Sequence, residues 1–272
     1  SYIIKVIDDG STDNTSKILK VYQNQPHIEI IHQKNRGLSG ARNTGLKEIN
    51  ARYLMFLDSD DKLAPGAIEA LMKMAQATDA DIIEGASLKF YGSWVTQRYP
   101  HADEKQSSAN KLYGFAWGKV YKSELFARIQ FPEGYWFEDT LCALILHPLA
   151  KKVSTISQCV NCYRTNFKGI SRTFRGKPKC LDSYYICEQL LVDRVKLGLP
   201  MNEKFLQSIA RQFRLNSNRI ASLKRQDIDK AVFIQQNALI KHYFPNIKVK
   251  DELTQSLMEG DFSLYQLQAT LL

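Results

Sequence analysis

The sequence predicts an α/β protein, a mostly parallel mixed sheet flanked by helices, followed by a helical C-terminal region. Three observations predict it. Apolar strand-like segments alternate with helix-patterned ones through residue 84. Two acidic clusters, Asp8-Asp9 and Asp58-Ser59-Asp60-Asp61, fall where predicted strands end, and open α/β sheets bind ligands beyond the carboxyl ends of their strands. After Gly176-Lys177-Pro178 glycine becomes scarce and apolar residues recur at helical spacing, as in Leu181, Tyr184, Tyr185, Cys187, Leu190 and Leu191.

Taken in order, residues 2–9 read as a buried strand, and residues 11–24 as a helix whose start is rich in capping residues, Ser11, Thr12, Asp13 and Asn14. Residues 28–32 form a second strand, 37–49 a helix, and 53–57 a third strand running into the Asp58 cluster. Pro65 sits near the first turn of a helix over 66–77, and a strand follows at 81–84. The polar stretch 92–108 reads as a loop, and a second ordered block extends from 111 to about 174. The expected division is an α/β domain over 1–176 and a helical region over 177–272.

A chain of 272 residues, 44% hydrophobic and 24% charged, buries a core without disulfides and matches neither a disordered nor a membrane-embedded protein. No apolar run reaches bilayer length, and the chain opens on a strand-like segment, so neither a spanning helix nor a leader is expected. Five cysteines without a regular framework suit a reducing compartment, with cytoplasm the expected location. Cys159-x-x-Cys162 lacks a second ligand pair, so two half-buried strand cysteines are the better reading. The net charge of +9 favours anionic partners: a phosphorylated small molecule, an anionic membrane surface or, ranked last for want of any motif, nucleic acid.

The chemistry concentrates at Asp58-Ser59-Asp60. Two carboxylates on alternate residues of a turn suit a hard divalent cation that keeps positions open for phosphate oxygens, whereas a lone acidic triplet is usually a solvated turn. The setting adds weight, since Asp8-Asp9 holds the equivalent end of another strand. Residues 7–15 (Ile-Asp-Asp-Gly-Ser-Thr-Asp-Asn-Thr), 35–45 (Asn-Arg-Gly-Leu-Ser-Gly-Ala-Arg-Asn-Thr-Gly) and 56–61 (Phe-Leu-Asp-Ser-Asp-Asp) resemble, in order and spacing, three successive motifs of family 2 glycosyltransferases with the GT-A fold. The segments 116–122 and 131–140 look like the acceptor-side segments of the same family, found in bacterial enzymes building capsule, exopolysaccharide and wall glycans. The likeness runs from residue 2 to about 174.

The resemblance implies an inverting transfer of a sugar from a nucleotide diphosphate, UDP being the expected nucleotide, to a hydroxyl of a glycan or lipid-linked acceptor. It implies that Asp8 and Asp9 contact base and ribose, that Asp58 faces ribose and metal, and that Asp60 ligates Mn²⁺ or Mg²⁺. Asp139, beside Glu138, matches the position of the family's base; the alternative is that the pair caps a helix over 140–150. Arg36, Arg42 and Asn43 match the segment closing over the donor, with a helix-surface role the alternative for Arg42. Gly37, Gly40 and Gly45 suit close approach of helix to sheet. The segment 163–172 resembles a closing lid in which Arg164, Lys168 and Arg172 reach the diphosphate, or else a solvated basic loop. Trp117 and Trp136 are candidates for an acceptor floor, against the commoner fate of core packing, and the histidines show no ligand spacing.

Members of the family begin with a further strand and helix, and this chain starts after them, which keeps a second reading open: a nucleotide-sugar-binding partner without turnover. An acidic-pocket phosphotransferase is a third, lacking a full phosphoaspartyl set. In the helical region Arg211, Arg214 and Arg225 are expected to form one cationic stripe beside Phe213, Ile220 and Leu223, suited to an anionic membrane or diphosphate-lipid contact, or simply a solvated face.

Overall fold

The computed structural model describes residues 1–167 and 169–271. The chain divides into two compact units, Ser1–Gly134 with Leu141–Thr165, and Tyr135–Thr140 with Asn166–Leu272. The composition shift near residue 176 therefore marks the approach to the long helices, while the second unit already includes residues 166–175.

The first unit runs β1 (Ile4–Asp8), α1 (Thr15–Leu19), β2 (Ile28–His32), α2 (Gly37–Gly45), β3 (Tyr53–Met55), β4 (Lys62–Leu63), α3 (Ala67–Thr78), β5 (Ile82–Tyr91), β6 (Trp94–Tyr99), β7 (Glu104–Ser107) and β8 (Lys119–Lys122). It ends with a π-helical turn (Cys142–Leu146), α4 (His147–Leu149) and β9 (Val153–Arg164). β1 and β2 pair in parallel, and a seven-stranded sheet has the order β3-β8-β5-β9-β4, with β6 on β5 and β7 on β9. The expected α/β class with a mixed sheet holds. Its pairing is less parallel than strand–helix alternation predicts: β5 and β9 pair in parallel, whereas β3–β8, β5–β8, β4–β9, β5–β6 and β7–β9 are antiparallel.

The core of this unit lies where α3 covers the sheet. Ala67, Leu71 and Ala75 recur every four residues, so they share one helix face, and they pack on Ile83, Val120, Ile156 and Val160. Burying Leu71 completely contributes roughly 2 kcal/mol. The helix stops at Asp79, whose left-handed backbone ends it.

Three expectations need correction here. The first strand is half-exposed, not buried: Tyr2, Ile3 and Ile4 are 58%, 62% and 47% exposed, because among the described residues β1 pairs only with β2. The helix over 11–24 shortens to α1 and a 3₁₀ turn, Lys20–Tyr22, none of whose residues is buried, since the preceding polar residues fold onto the β1 turn. The polar stretch 92–108 contains β6 and β7; every residue of β6 but Tyr99 is exposed, so no apolar face betrays the strand.

The second unit carries α5 (Ile170–Thr173), α6 (Asp182–Lys196), α7 (Glu203–Ile220), α8 (Gln226–Tyr243), α9 (Glu252–Glu259) and α10 (Phe262–Leu271). α7 buries Phe205, Leu206, Ile209, Ala210, Phe213 and Ile220 along one face. The expected stripe of Arg211, Arg214 and Arg225 does not form. The helix ends before a left-handed Lys224, and Arg225 lies beyond that break, paired at 2.7 Å with Asp227. Arg214 is half-buried. Among the described residues no helix is long and apolar enough to cross a membrane.

Candidate active site

The end of β1 is shaped by its own hydrogen bonds. Gly10 turns the chain with φ +75°, and a Cβ there would meet the backbone nitrogen of Asn35 at 2.9 Å, so only glycine fits. Asp8 is buried; its Oδ1 accepts from the Ser11 amide at 3.0 Å and its Oδ2 lies 2.8 Å from Nδ1 of His32. The Ser11 hydrogen bonds, with His32 adding to them, hold the Asp8 carboxyl below its usual range. Asp9 is held from the other strand, its Oδ1 accepting from Gln33 Nε2 at 2.6 Å and from the Arg36 amide at 2.8 Å. Asp8 is thus tied to Ser11 and His32, and Asp9 is oriented by the turn after β2.

α2 connects this turn to the second acidic cluster, and it does so by burying polar groups. Thr44 donates to Gln33 Oε1 at 2.6 Å, completing a path to Asp9. Arg42, 7% exposed, lies with its guanidinium 5.2 Å from the Phe131 ring centroid and 5.8 Å from that of Phe56, and donates to Asp58 Oδ1 at 3.0 Å. Of the two expectations for Arg42, the helix-surface role is excluded. Asn43 exchanges hydrogen bonds with the backbone of Phe131 and donates to Glu133 Oε1. Arg36 grips the same carboxylate with Nε at 3.2 Å and Nη2 at 2.5 Å. Gly40 permits that grip: a Cβ there would lie 2.3 Å from Cβ of Arg36, so this glycine serves the arginine rather than approach to a sheet.

Beyond β3, Phe56 forms an isolated bridge to Trp117 and the chain turns at Asp58, with the Asp61 amide bonded to the Asp58 carbonyl at 3.0 Å. Asp61 is buried and accepts from the Arg164 amide at 2.8 Å and from Asn161 Nδ2 at 3.3 Å. Burial raises its pKa to about 6, and the charges of Asp58 and Asp60 push in the same direction. Asp61 therefore ties the turn to β9, with Asp58 and Asp60 half-buried beside it.

The remaining candidates separate by environment. Arg164 has an exposed side chain and braces Asp61 through its amide. Trp117 is no acceptor floor: at 4% exposure it stacks between Phe115 and Tyr163, centroids 4.3 and 5.3 Å away, and is part of the core. Cys159 and Cys162 are half-buried in β9 as expected. In the second unit, Glu138 is buried, while Asp139 and Trp136 are half-buried, and Glu138 and Asp139 directly precede the helical turn that starts at Thr140. Arg172 is exposed, its guanidinium 5.9 Å from the Phe167 ring, and Lys168 lies outside the described residues.

His32, Gln33, Thr44 and Glu133 are residues tied into this geometry that sequence reasoning passed over, whereas Asn43 was expected in the closing segment. The signal for His32 was the parallel pairing of two equal strands, which sets Asp8 opposite His32 at their common end. Glu133 had none, because its partner Arg36 is 97 residues away.

Comparison with known proteins agrees with this geometry. The family pattern described as Glycosyl transferase family 2 matches residues 2–138. The chain belongs to glycosyl transferase family 2. Among family relatives, it is 32% identical over 193 residues to glycosyltransferase GlyA of Streptococcus pneumoniae, a match covering 64% of this chain but only 28% of GlyA. It is 28% identical to glycosyltransferase GlyG of the same organism, covering 73% of each. The crystal structure of Staphylococcus aureus TarS 1-349 in complex with UDP-GlcNAc superposes with TM-score 0.72 over 97% of this chain and 80% of TarS 1-349, at 18% identity, which establishes the likeness of fold. The architecture is the GT-A fold with a helical C-terminal region.

Proposed function

We propose that this family 2 chain is an inverting glycosyltransferase. It takes a sugar from a nucleotide diphosphate, with UDP as nucleotide, and delivers it to a hydroxyl of a glycan or lipid-linked acceptor in cell-surface polysaccharide synthesis. The observation that carries the reading is the use of α2: one short helix anchors a cation on Asp58 through Arg42 and, through Thr44 and Gln33, orients Asp9. A binding surface with carboxylates at two strand ends, cross-tied by one helix, suits a ligand with a polar base at one end and a diphosphate at the other. The UDP-GlcNAc bound to TarS supports the same donor class by analogy of fold.

A divalent cation fits the Asp58 turn. Asp58 and Asp60 would hold Mn²⁺ or Mg²⁺, hard cations that take oxygen ligands and would leave positions for diphosphate oxygens and water. The charges of Asp58 and Asp60 act together on Asp61, which is the concentration of negative potential such a cation offsets. Held by Asp58 and Asp60, it would neutralise charge developing on the departing diphosphate. Arg42 fixes one of these carboxylates before any ligand arrives, which reduces reorganisation on binding.

Asp139 is the proposed base, with Glu138 beside it. A carboxylate is a weak base toward an alcohol in the ground state, but the acceptor hydroxyl becomes acidic as its bond to the sugar forms, so transfer late in the step suffices. A nucleotide-sugar-binding partner without turnover is distinguished by measurement. A panel of nucleotide sugars with Mn²⁺, read by release of nucleoside diphosphate, should yield one productive donor when acceptor is present. Asp60→Ala should abolish the metal-dependent part of UDP affinity in calorimetry. Undiminished affinity would remove Asp60 from the metal, and binding without release would favour the partner reading.

A further inference from the structure

The segment that carries Asp139 belongs to the helical unit. Residues 135–140 group with residues 166–272, although the chain on both sides of them belongs to the sheet unit. Short excursions of this kind are held by specific contacts or not at all, because six residues have too little surface to fold alone. Three anchors are visible. The Trp136 amide donates to Oδ2 of Asp182, the first residue of α6, at 2.8 Å. The Phe137 ring has the Arg219 guanidinium 4.1 Å from its centroid and meets the Phe174 ring at 5.6 Å, edge to face. Phe137 has a left-handed backbone, φ +67°, which an aromatic residue adopts only where its surroundings impose it.

Both anchoring side chains are themselves fixed. Asp182 is 9% exposed and also pairs with Lys179 at 2.7 Å. Arg219 donates to Oδ1 of Asn216 at 3.4 Å, and Asn216 is fully buried, donating to the Ser183 carbonyl and to Sγ of Cys187 on α6. Burial pulls the Arg219 guanidinium below its ordinary pKa, and the Asp139 carboxylate acts against that shift.

We propose that Asp182 and Arg219 are positioning residues of the transfer reaction: acting through Trp136 and Phe137, they hold the 135–140 segment and so aim the carboxylate of Asp139. Asp182 and Arg219 then act on the reaction through this segment, without touching substrate themselves. This rests on the reading of Asp139 as the base.

The test uses the full chain and the variants Arg219→Gln, Arg219→Lys and Asp182→Asn, with Asp139→Asn as reference. In ligand-free protein, hydrogen exchange over 135–140 should rise at least tenfold in Asp182→Asn and Arg219→Gln, with exchange over β1 and α2 unchanged. With donor and acceptor, kcat should fall about tenfold or more in both, as expected for a carboxylate slightly misaimed, while the donor KM and UDP affinity stay at the wild-type level. Arg219→Lys should recover part of kcat, since it keeps the charge and loses the planar stack. Unchanged exchange over 135–140 overturns the positioning role, as does a parallel loss of UDP affinity and kcat, which signals general damage. Full transfer by Asp139→Asn would instead refute the base assignment while exchange still decides whether the segment is held.

Discussion

In α2 the buried positions are Ser39, Gly40, Arg42, Asn43 and Thr44, whereas in α7 they are Phe205, Leu206, Ile209, Ala210, Phe213, Asn216 and Ile220. The nine-residue helix hides polar groups and the eighteen-residue one hides apolar groups. Burying a polar group costs free energy unless a partner meets it, and in α2 Arg42, Asn43 and Thr44 each have one: Asp58, Phe131 with Glu133, and Gln33. Such a helix contributes little by the hydrophobic effect. What it supplies is direction, because each partner is a group at a strand end or a turn. α7 shows the reverse along its buried apolar face, which excludes water; the groups on it that orient others are Asn216 and Arg219. Stability and site geometry are thus assigned to different faces, the apolar face of α7 and the polar face of α2, and substitutions should separate them.

The largest expected effect is on α7. Phe213→Ala removes a fully buried ring and should destabilise the protein by about 4 kcal/mol, measured by urea unfolding, while UDP affinity of the folded fraction is unchanged. A loss of UDP affinity would break the separation. Next comes Arg42→Ala, which leaves Asp58 without its cation and Phe131 without its cover; we expect about 3 kcal/mol of destabilisation, accompanied by loss of UDP binding. Stability lost with affinity intact would make the polar face of α2 purely structural.

The contrast also explains what could be read from sequence. β2 and α3 were legible because period-two and four-residue apolar spacing report burial, and the long helices after residue 176 for the same reason. The acidic ends of β1 and β3 were legible as short local motifs. α2 was visible as a helix, but the roles of Asn43 and Thr44 and the grip of Arg36 on Glu133 were not, since polar contacts between distant segments leave no periodic trace. β6 failed in the opposite sense: an exposed strand buries no face, so nothing in its composition separates it from a loop. Trp117 shows the remaining difficulty, because a residue type suited to sugar stacking is equally suited to an aromatic core, and only its neighbours decide.

His147 departs from the pattern of Arg42, Asn43 and Thr44, whose buried polar groups are met by partners. Its Nε2 is buried without a hydrogen bond. Burial, with the Lys119 charge adding to it, holds its pKa well below 6.5. The unfolded chain then binds a proton that the folded protein refuses, so this residue's contribution to stability is intact above pH 6.5 and is lost as pH falls below it. The loss approaches about 1.4 kcal/mol per pH unit. His147→Phe should flatten the acid limb of stability by that slope in urea unfolding between pH 7 and about 5; an unaltered slope would mean that the ring is hydrated or paired in solution.

The smallest expected effect concerns how the two helices begin. α7 starts at Asn202, whose side chain accepts from the Phe205 amide at 3.0 Å, so an otherwise unmet donor of the first turn is satisfied locally. α2 has no such side-chain cap at Arg36; the neighbouring Asn35 accepts from the Gly37 amide at 3.2 Å, while Arg36 turns its side chain to Glu133 and its amide to Asp9. An N-terminus built for stability and one built around a site should therefore respond differently to loss of the capping side chain. Asn202→Ala should cost about 1 kcal/mol in urea unfolding and leave UDP affinity unaltered. Asn35→Ala should cost no more than that in stability, yet weaken UDP binding measurably, because the turn that presents the Arg36 amide to Asp9 loses a constraint. Equal effects of the two substitutions on affinity would show that the start of α2 is an ordinary cap, and that Asp9 is oriented by Gln33 alone.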